Sequence, residues 1–259
     1  MSDAFYLHDD NRFVPTEWTR GPWDPNAQHA GPPAALLGRA IEALDPGGEM
    51  QVARFTLDVL RPIPLTPLQV EARVLRPGRR VQLAEATLSS GEDPVARASV
   101  WRIRPGEPSL PDTGLDTTPP PGPDDLQPDP MYDPWGGPSY FASMEWRSAR
   151  GSFFTPGPAA AWMRMRIPLL PDEVPSPLTR VLAAADSGNG ISMELPLDRF
   201  LSINTELTVH LIRMPEGEWV CLDAITRIDP RGIGLAQSVI WDEHGRIGSG
   251  NQSLVVAPR

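Results

Sequence analysis

The sequence contains no lysine; all 23 of its basic residues are arginine. That excludes Schiff-base chemistry, a lysine nucleophile and the Gly-x4-Gly-Lys phosphate loop. Cysteine is almost as scarce. Cys221 stands alone, so no internal disulfide can form and no cysteine-based zinc site can be assembled. No apolar run approaches the roughly 18 residues that a membrane-spanning helix needs, and no membrane partner is expected. Residues 1–13 carry charges where a signal peptide would place its apolar core, so no export signal is read there and a cytoplasmic location is expected. Positive charge is the minority sign: 23 basic against 33 acidic side chains gives −10, with no concentrated basic face for a duplex. Nucleic acid is not an expected partner.

What the chain does have is proline, 32 residues in 259. Eleven of them fall between Pro105 and Pro138, with almost no aliphatic residues among them. Proline lacks the N–H and locks φ, so this stretch cannot build a ladder or a helix interior. It reads as an extended connector draped over a surface, and divides the chain into 1–105, a connector 106–138, and 139–259.

The two flanking parts repeat one pattern. Val81–Leu88 alternates, a polar turn follows, and Pro94–Ile103 alternates again; Ile233–Ile240, a turn at Asp242–Gly245, and Arg246–Val256 do the same. They align without a gap, Leu83 on Leu235, a shift of 235 − 83 = 152, which also places Ala72 on Ala224 and Arg61 on Arg213. A period this long marks one domain fold used twice rather than a solenoid. In the first part Gly31–Leu44 reads as a helix, with prolines at its start and Asp45-Pro-Gly-Gly as its stop. Strands are predicted at Val52–Arg61, Leu68–Leu75, Val81–Leu88 and Val95–Ile103. In the second, Tyr140–Phe154 and Pro158–Ile167 read as strands, Pro177–Ala185 as an amphipathic helix, and Leu201–Ile212, Trp219–Ile228, Ile233–Trp241 and Ile247–Val256 as further strands. A helix wrapped by an antiparallel sheet, twice over, is an α+β arrangement of the hotdog layout, here as a tandem pseudo-dimer.

Few residues can carry chemistry. No Gly-x-Ser-x-Gly elbow exists, because Ser249 is flanked directly by Gly248 and Gly250. The scattered glycines near 232–250 lack the βαβ unit that a dinucleotide site requires, and no cofactor is expected. Asp242-Glu243-His244-Gly245 reads as a solvated turn rather than metal ligands, and no metal is expected. His210 lies mid-strand. His29 precedes Ala30-Gly31 at the entry to the first helix, where free N–H groups favour developing negative charge. Asp186 follows three alanines at the end of the second helix; partial burial there would raise its pKa and suit it to general-base work, although a helix-end turn is equally compatible with the segment. Gln252 lies within the last strand.

These features resemble the type II acyl-CoA thioesterase family, which is built from two fused hotdog domains. The resemblance is carried by Ala184-Ala185-Asp186, the strand Asn204–His210, Arg213 and Glu218-Trp219, the final strand with Gln252, and in the first part His29-Ala30-Gly31 and Leu60-Arg61-Pro62. It implies hydrolysis of acyl-CoA to a carboxylic acid and CoA by a water held between Asp, Thr or Ser, and Gln. Asp186 and Gln252 carry over; the hydroxyl position falls on Asn204, with Thr205 beside it and facing the other way. His29 and Gly31 are implied as substrate contacts, the N–H groups near Gly31 holding the thioester oxygen. Shifting Gln252 by 152 lands on Val100, and the counterpart of Asp186 falls near Ala34, so one active site per chain is expected. Association into homo-oligomers is expected by analogy. Two other readings stay open: a hotdog hydratase or dehydratase of enoyl-thioesters pairing His29 with a carboxylate, and a non-catalytic acyl-CoA binding protein.

Overall fold

Period-two alternation forms the strands, and two runs rich in alanine and leucine form the helices that lie across them. The structure, a computed structural model, describes residues 3–45, 47–106, 110–111, 113–114, 118–133 and 135–259. The first half comprises β1 (Tyr6–Asp9), β2 (Arg12–Pro15), α1 (Gly31–Glu42), β3 (Gln51–Val59), β4 (Gln69–Arg76), β5 (Val81–Ser90) and β6 (Asp93–Ile103). The second comprises α2 (Tyr140–Ser143), β7 (Met144–Ser152), β8 (Thr155–Met165), α3 (Pro177–Ala185), α4 (Gly188–Ile191), β9 (Phe200–Asn204), β10 (Glu206–Leu211), β11 (Val220–Asp229), β12 (Ile233–Asp242) and β13 (Gly245–Pro258). Apart from the β1–β2 hairpin, the strands form one antiparallel sheet in the order β4-β5-β6-β3-β10-β13-β12-β11-β8-β7, with β9 also paired to β13.

The repeat is visible in the sheet. β5 and β12, and likewise β6 and β13, start 152 residues apart (233 − 81 and 245 − 93). The halves meet where β3 pairs with β10, and there Thr56 faces Thr208, again 152 apart, their hydroxyls 3.3 Å from each other. A two-fold axis that carries each residue onto its repeat must pass through a pair that faces itself. The tandem hotdog is therefore one continuous sheet folded about this Thr56–Thr208 pair.

Helices α1 and α3 lie antiparallel across the concave side. Their contact is close because α1 offers glycine: a Cβ on Gly31 would strike the carbonyl of Ala183, and one on Gly38 would strike Leu182. Alanine and leucine fill the remainder, with Ala34, Leu37, Leu182, Ala183 and Ala184 at 0% exposure. A second apolar layer lies apart from this core, where Trp162, Trp219, Cys221 and Trp241 cluster with Leu126 of the proline-rich segment. The indole of Trp162 donates to Pro121 O at 2.7 Å, and Arg147 donates to Pro123 O at 2.7 Å.

Three expectations need correction. Residues 140–143 form a helical turn capped by Ser139, not the start of a strand, because the Ser139 hydroxyl accepts the N–H of Ala142. The strand expected over 201–212 is interrupted at Thr205. Between Asn204 and Thr208 there are four steps, but their partners Leu254 and Asn251 on β13 are three apart, so one extra residue bulges from the ladder. The third concerns Asp242, which is not solvated: it is fully buried, gripped by both terminal guanidinium nitrogens of Arg213 and by the N–H groups of Glu216 and His244.

This last cluster ties the end of β10 to the β12–β13 turn. Burial pushes the Asp242 carboxyl up, but the hydrogen bonds from Arg213 and the two N–H groups outweigh it and hold the carboxyl below the ordinary carboxylate range. A depressed folded pKa means stabilisation that is present above the unfolded value of about 3.9 and lost as pH falls through the folded value. Asp242→Asn is expected to lower stability at pH 7 by roughly 2–3 kcal/mol, the worth of hydrogen bonds to a charged group. Denaturant titrations should show the gap closing as pH drops below about 4; a gap that stays constant with pH would remove the ion pair as its cause.

Candidate active site

The N-terminal end of α1 and the C-terminal end of α3 meet on one side of the two-fold axis. Asp186 caps α3 and is 3% exposed. Its Oδ1 accepts from Asn204 Nδ2 at 2.8 Å and from Gln252 Nε2 at 3.2 Å, and the N–H groups of Ala30 and Gly31 also donate to the carboxylate. Its Oδ2 lies 3.1 Å from His29 Nδ1. Burial raises the carboxyl to about 7 despite these donors.

Each partner is placed by local chemistry. Gln252 is locked at both ends of its amide: Nε2 donates to Asp186 O at 3.0 Å, while Oε1 accepts from the N–H of Asn189 at 2.9 Å. That approach requires Gly188, because a Cβ there would lie 2.9 Å from Gln252 Oε1. Leu207 and Val209 point into the core, so strict alternation would send position 205 inward and 204 outward. The bulge at Thr205 reverses this and turns Asn204 onto Asp186. Thr205 stands on the chamber wall, its hydroxyl 3.4 Å from Ser253 O and not joined to Asp186.

His29 stacks on Tyr140, centroids 3.7 Å apart and planes at 5°. Tyr140 is anchored through its hydroxyl to Ala183 O at 2.6 Å and to Ser187 Oγ at 2.9 Å. Burial pushes the imidazole down to about 3, so His29 is neutral and the 3.1 Å approach of its Nδ1 to Asp186 Oδ2 is not an ion pair. The N–H of Gly31 donates to His29 Nδ1 at 3.1 Å. In this structure the Gly31 N–H, expected to meet a substrate oxygen, serves the His29–Asp186 pair. It also makes Nδ1 an acceptor, leaving Nε2 as the proton-bearing nitrogen of the ring. Tyr140 and Asn189 escaped the sequence reading: the first sat in a segment taken for strand, and the second was one polar residue in the glycine-rich stretch after Asp186.

A chamber of about 440 Å3 opens above Asp186, walled by Trp23, Val59, Ile63, Leu201, Ile203 and Asn204, with Arg61 among its lining residues. The two-fold axis relates it to a second cavity of about 260 Å3 lined by Glu42, Gln51, Val52, Arg102 and Met214. There Val52 replaces Asn204 and Val100 replaces Gln252. The helices begin at 31 and 177, 146 residues apart, so the counterpart of Asp186 is Ala40 rather than a residue near Ala34. Pro177 occupies the place of Gly31 and has no N–H to give. Glu42 lies in that cavity but is held by the Ser176 hydroxyl at 2.7 Å. Only the first cavity carries the full polar set.

Among the described residues no helix is long and apolar enough to cross a membrane, and no three metal-binding side chains cluster. No curated protein matches the sequence. Solved structures do match in fold. A candidate thioesterase from Novosphingobium aromaticivorans aligns over 98% of this chain and 99% of its own, at 20% identity and a TM-score of 0.74. A hotdog-fold protein of unknown function from Alicyclobacillus acidocaldarius aligns over 97% and 95%, at 17% identity and a TM-score of 0.73. The acyl-CoA thioesterase II TesB2 of Mycobacterium marinum aligns over 94% and 96%, at 14% identity and a TM-score of 0.65. The model of the acyl-CoA thioesterase N-terminal domain matches residues 19–103, and that of the C-terminal domain matches residues 123–256. With more than half of its length in the C-terminal match alone, this double-hotdog chain belongs to the acyl-CoA thioesterase family and is a thioester hydrolase.

Proposed function

We propose that the chain hydrolyses acyl-CoA to a carboxylic acid and CoA by direct attack of water, with Asp186 as general base. One observation carries this reading: a buried carboxylate, raised to about 7, on the wall of an open chamber. Such a group is a competent base near neutral pH. Asn204 and Gln252 occupy Oδ1 and orient the carboxylate, so Oδ2, beside the unprotonated His29 Nδ1, is the oxygen that takes the water's proton. The Asn204 amide oxygen, which accepts no hydrogen bond among the described residues, is available to hold the same water. The N–H of a neutral imidazole at His29 Nε2 would stabilise the carbonyl oxygen as it gains charge.

In the step itself, the water oxygen bonds to the carbonyl carbon while one of its protons moves to Asp186. The C–S bond then breaks, and the departing thiolate takes that proton back. No covalent acyl-enzyme is required. The same reading keeps a cytoplasmic location, a place in fatty acid metabolism and association between chains as expectations.

The His29–Asp186 contact also satisfies the pairing that an enoyl-thioester hydratase needs. A loss of crotonyl-CoA absorbance without release of thiol would select that reaction instead.

Asp186→Asn is expected to lower kcat/KM in a thiol-release assay by about 10³, within the usual span for loss of a general base. Full turnover in that variant would remove Asp186 from the chemistry. Because Asp186 must be ionised to act, log(kcat/KM) should rise with pH and level off above about 7. Asn204→Ala withdraws a donor that favours the charged form, so its pH profile should shift to higher pH, with activity down roughly tenfold or more at pH 7. An unmoved profile would mean that Asn204 does not act through the carboxylate.

A further inference from the structure

Two small cavities follow one another beside the chamber, toward the β7–β8 turn. The first, about 20 Å3, shares Trp23, His29 and Asn189 with the chamber and is also lined by Phe141, Trp146 and Phe153. The second, also about 20 Å3, is lined by the same three aromatic residues together with Tyr132 and Ala161. Each has room for roughly one water molecule. The rings are packed on one another, Phe141 against Trp146 at 5.8 Å and against Phe153 at 5.4 Å. Phe153 comes from the β7–β8 turn, and its ring reaches the helical turn after Asp186: a Cβ on Gly190 would lie 3.7 Å from its Cε2.

A thioester carbonyl held at Asp186 has two substituents that must leave in different directions. The CoA arm carries phosphates and has to reach water through the mouth of the chamber. The acyl group is apolar and gains by leaving water, so it turns away from the mouth, past Trp23, His29 and Asn189, toward the apolar side chains of the adjoining cavity. That path runs into the three rings.

Resting on the reading of Asp186 as the hydrolytic base, we propose that Phe141, Trp146 and Phe153 form a stop that limits acyl length, and that the substrates are CoA thioesters of short-chain acids. Phe153 is the adjustable member, because it is only partly buried and sits on a turn, whereas Phe141 and Trp146 are tied together through the Trp146 indole donating to Phe141 O at 2.9 Å.

The test is the ratio of kcat/KM for dodecanoyl-CoA to that for butyryl-CoA, by thiol release, in the wild type, Phe153→Leu and Phe153→Ala. A ratio cancels any general loss of active protein, and the leucine variant carries the test if the alanine one does not fold. The wild type is expected to favour butyryl-CoA by 100-fold or more. The ratio should rise at least tenfold in Phe153→Ala, with Phe153→Leu between. Equal use of both esters by the wild type, or a ratio unmoved in the folded variants, would overturn the stop while leaving hydrolysis intact. Absence of thiol from every ester with the wild type would overturn the hydrolytic reading, and this inference with it.

Discussion

A carboxylate is held inside protein where two helix ends converge, and much of the local architecture serves that placement. Asp186 could not remain buried at the end of α3 without donors, since an ionised group out of water is costly unless it is hydrogen-bonded. Those donors come from three separate elements: the entry to α1, the strand β9 and the strand β13. The close packing of α1 on α3 through Gly31 brings the first of these within reach. The donors fall short of offsetting burial, and the residual imbalance is what leaves the group near 7.

The duplicated architecture explains why this happens once. A two-fold axis through Thr56 and Thr208 builds two cavities from equivalent pieces, yet the set of donors gathered on a buried aspartate is present in one. Valines at 52 and 100 cannot donate, and a proline at 177 has no N–H where the other copy has Gly31. Val52 and Val100 are fully engaged in the core instead, at 3% and 0% exposure. The first copy thus contributes His29, Trp23 and Ile63 as walls to the site of the second.

Some features were legible because they are periodic or local. The 152-residue shift read from Leu83 and Leu235 reappears in the strand starts and in the self-facing threonines. Asp186 stood out as an acid after three alanines. Tyr140 was read as strand because a capping serine at 139 and an aromatic pair carry no strong helical signal, and its role beneath His29 depends on a contact across more than one hundred residues. Asp242 looked like a turn residue because its partner, Arg213, is remote in the chain.

By itself the sequence determined the class of fold, the duplication, the exclusion of lysine and disulfide chemistry, and the short set of polar residues able to act. Tertiary structure decided which of them meet. Alternation along a strand is a period of two, so one inserted residue changes every assignment beyond it. The bulge at Thr205 falls where the chain passes from β9, paired with β13 alone, to β10, held between β3 and β13, and it turns Asn204, not Thr205, toward Asp186.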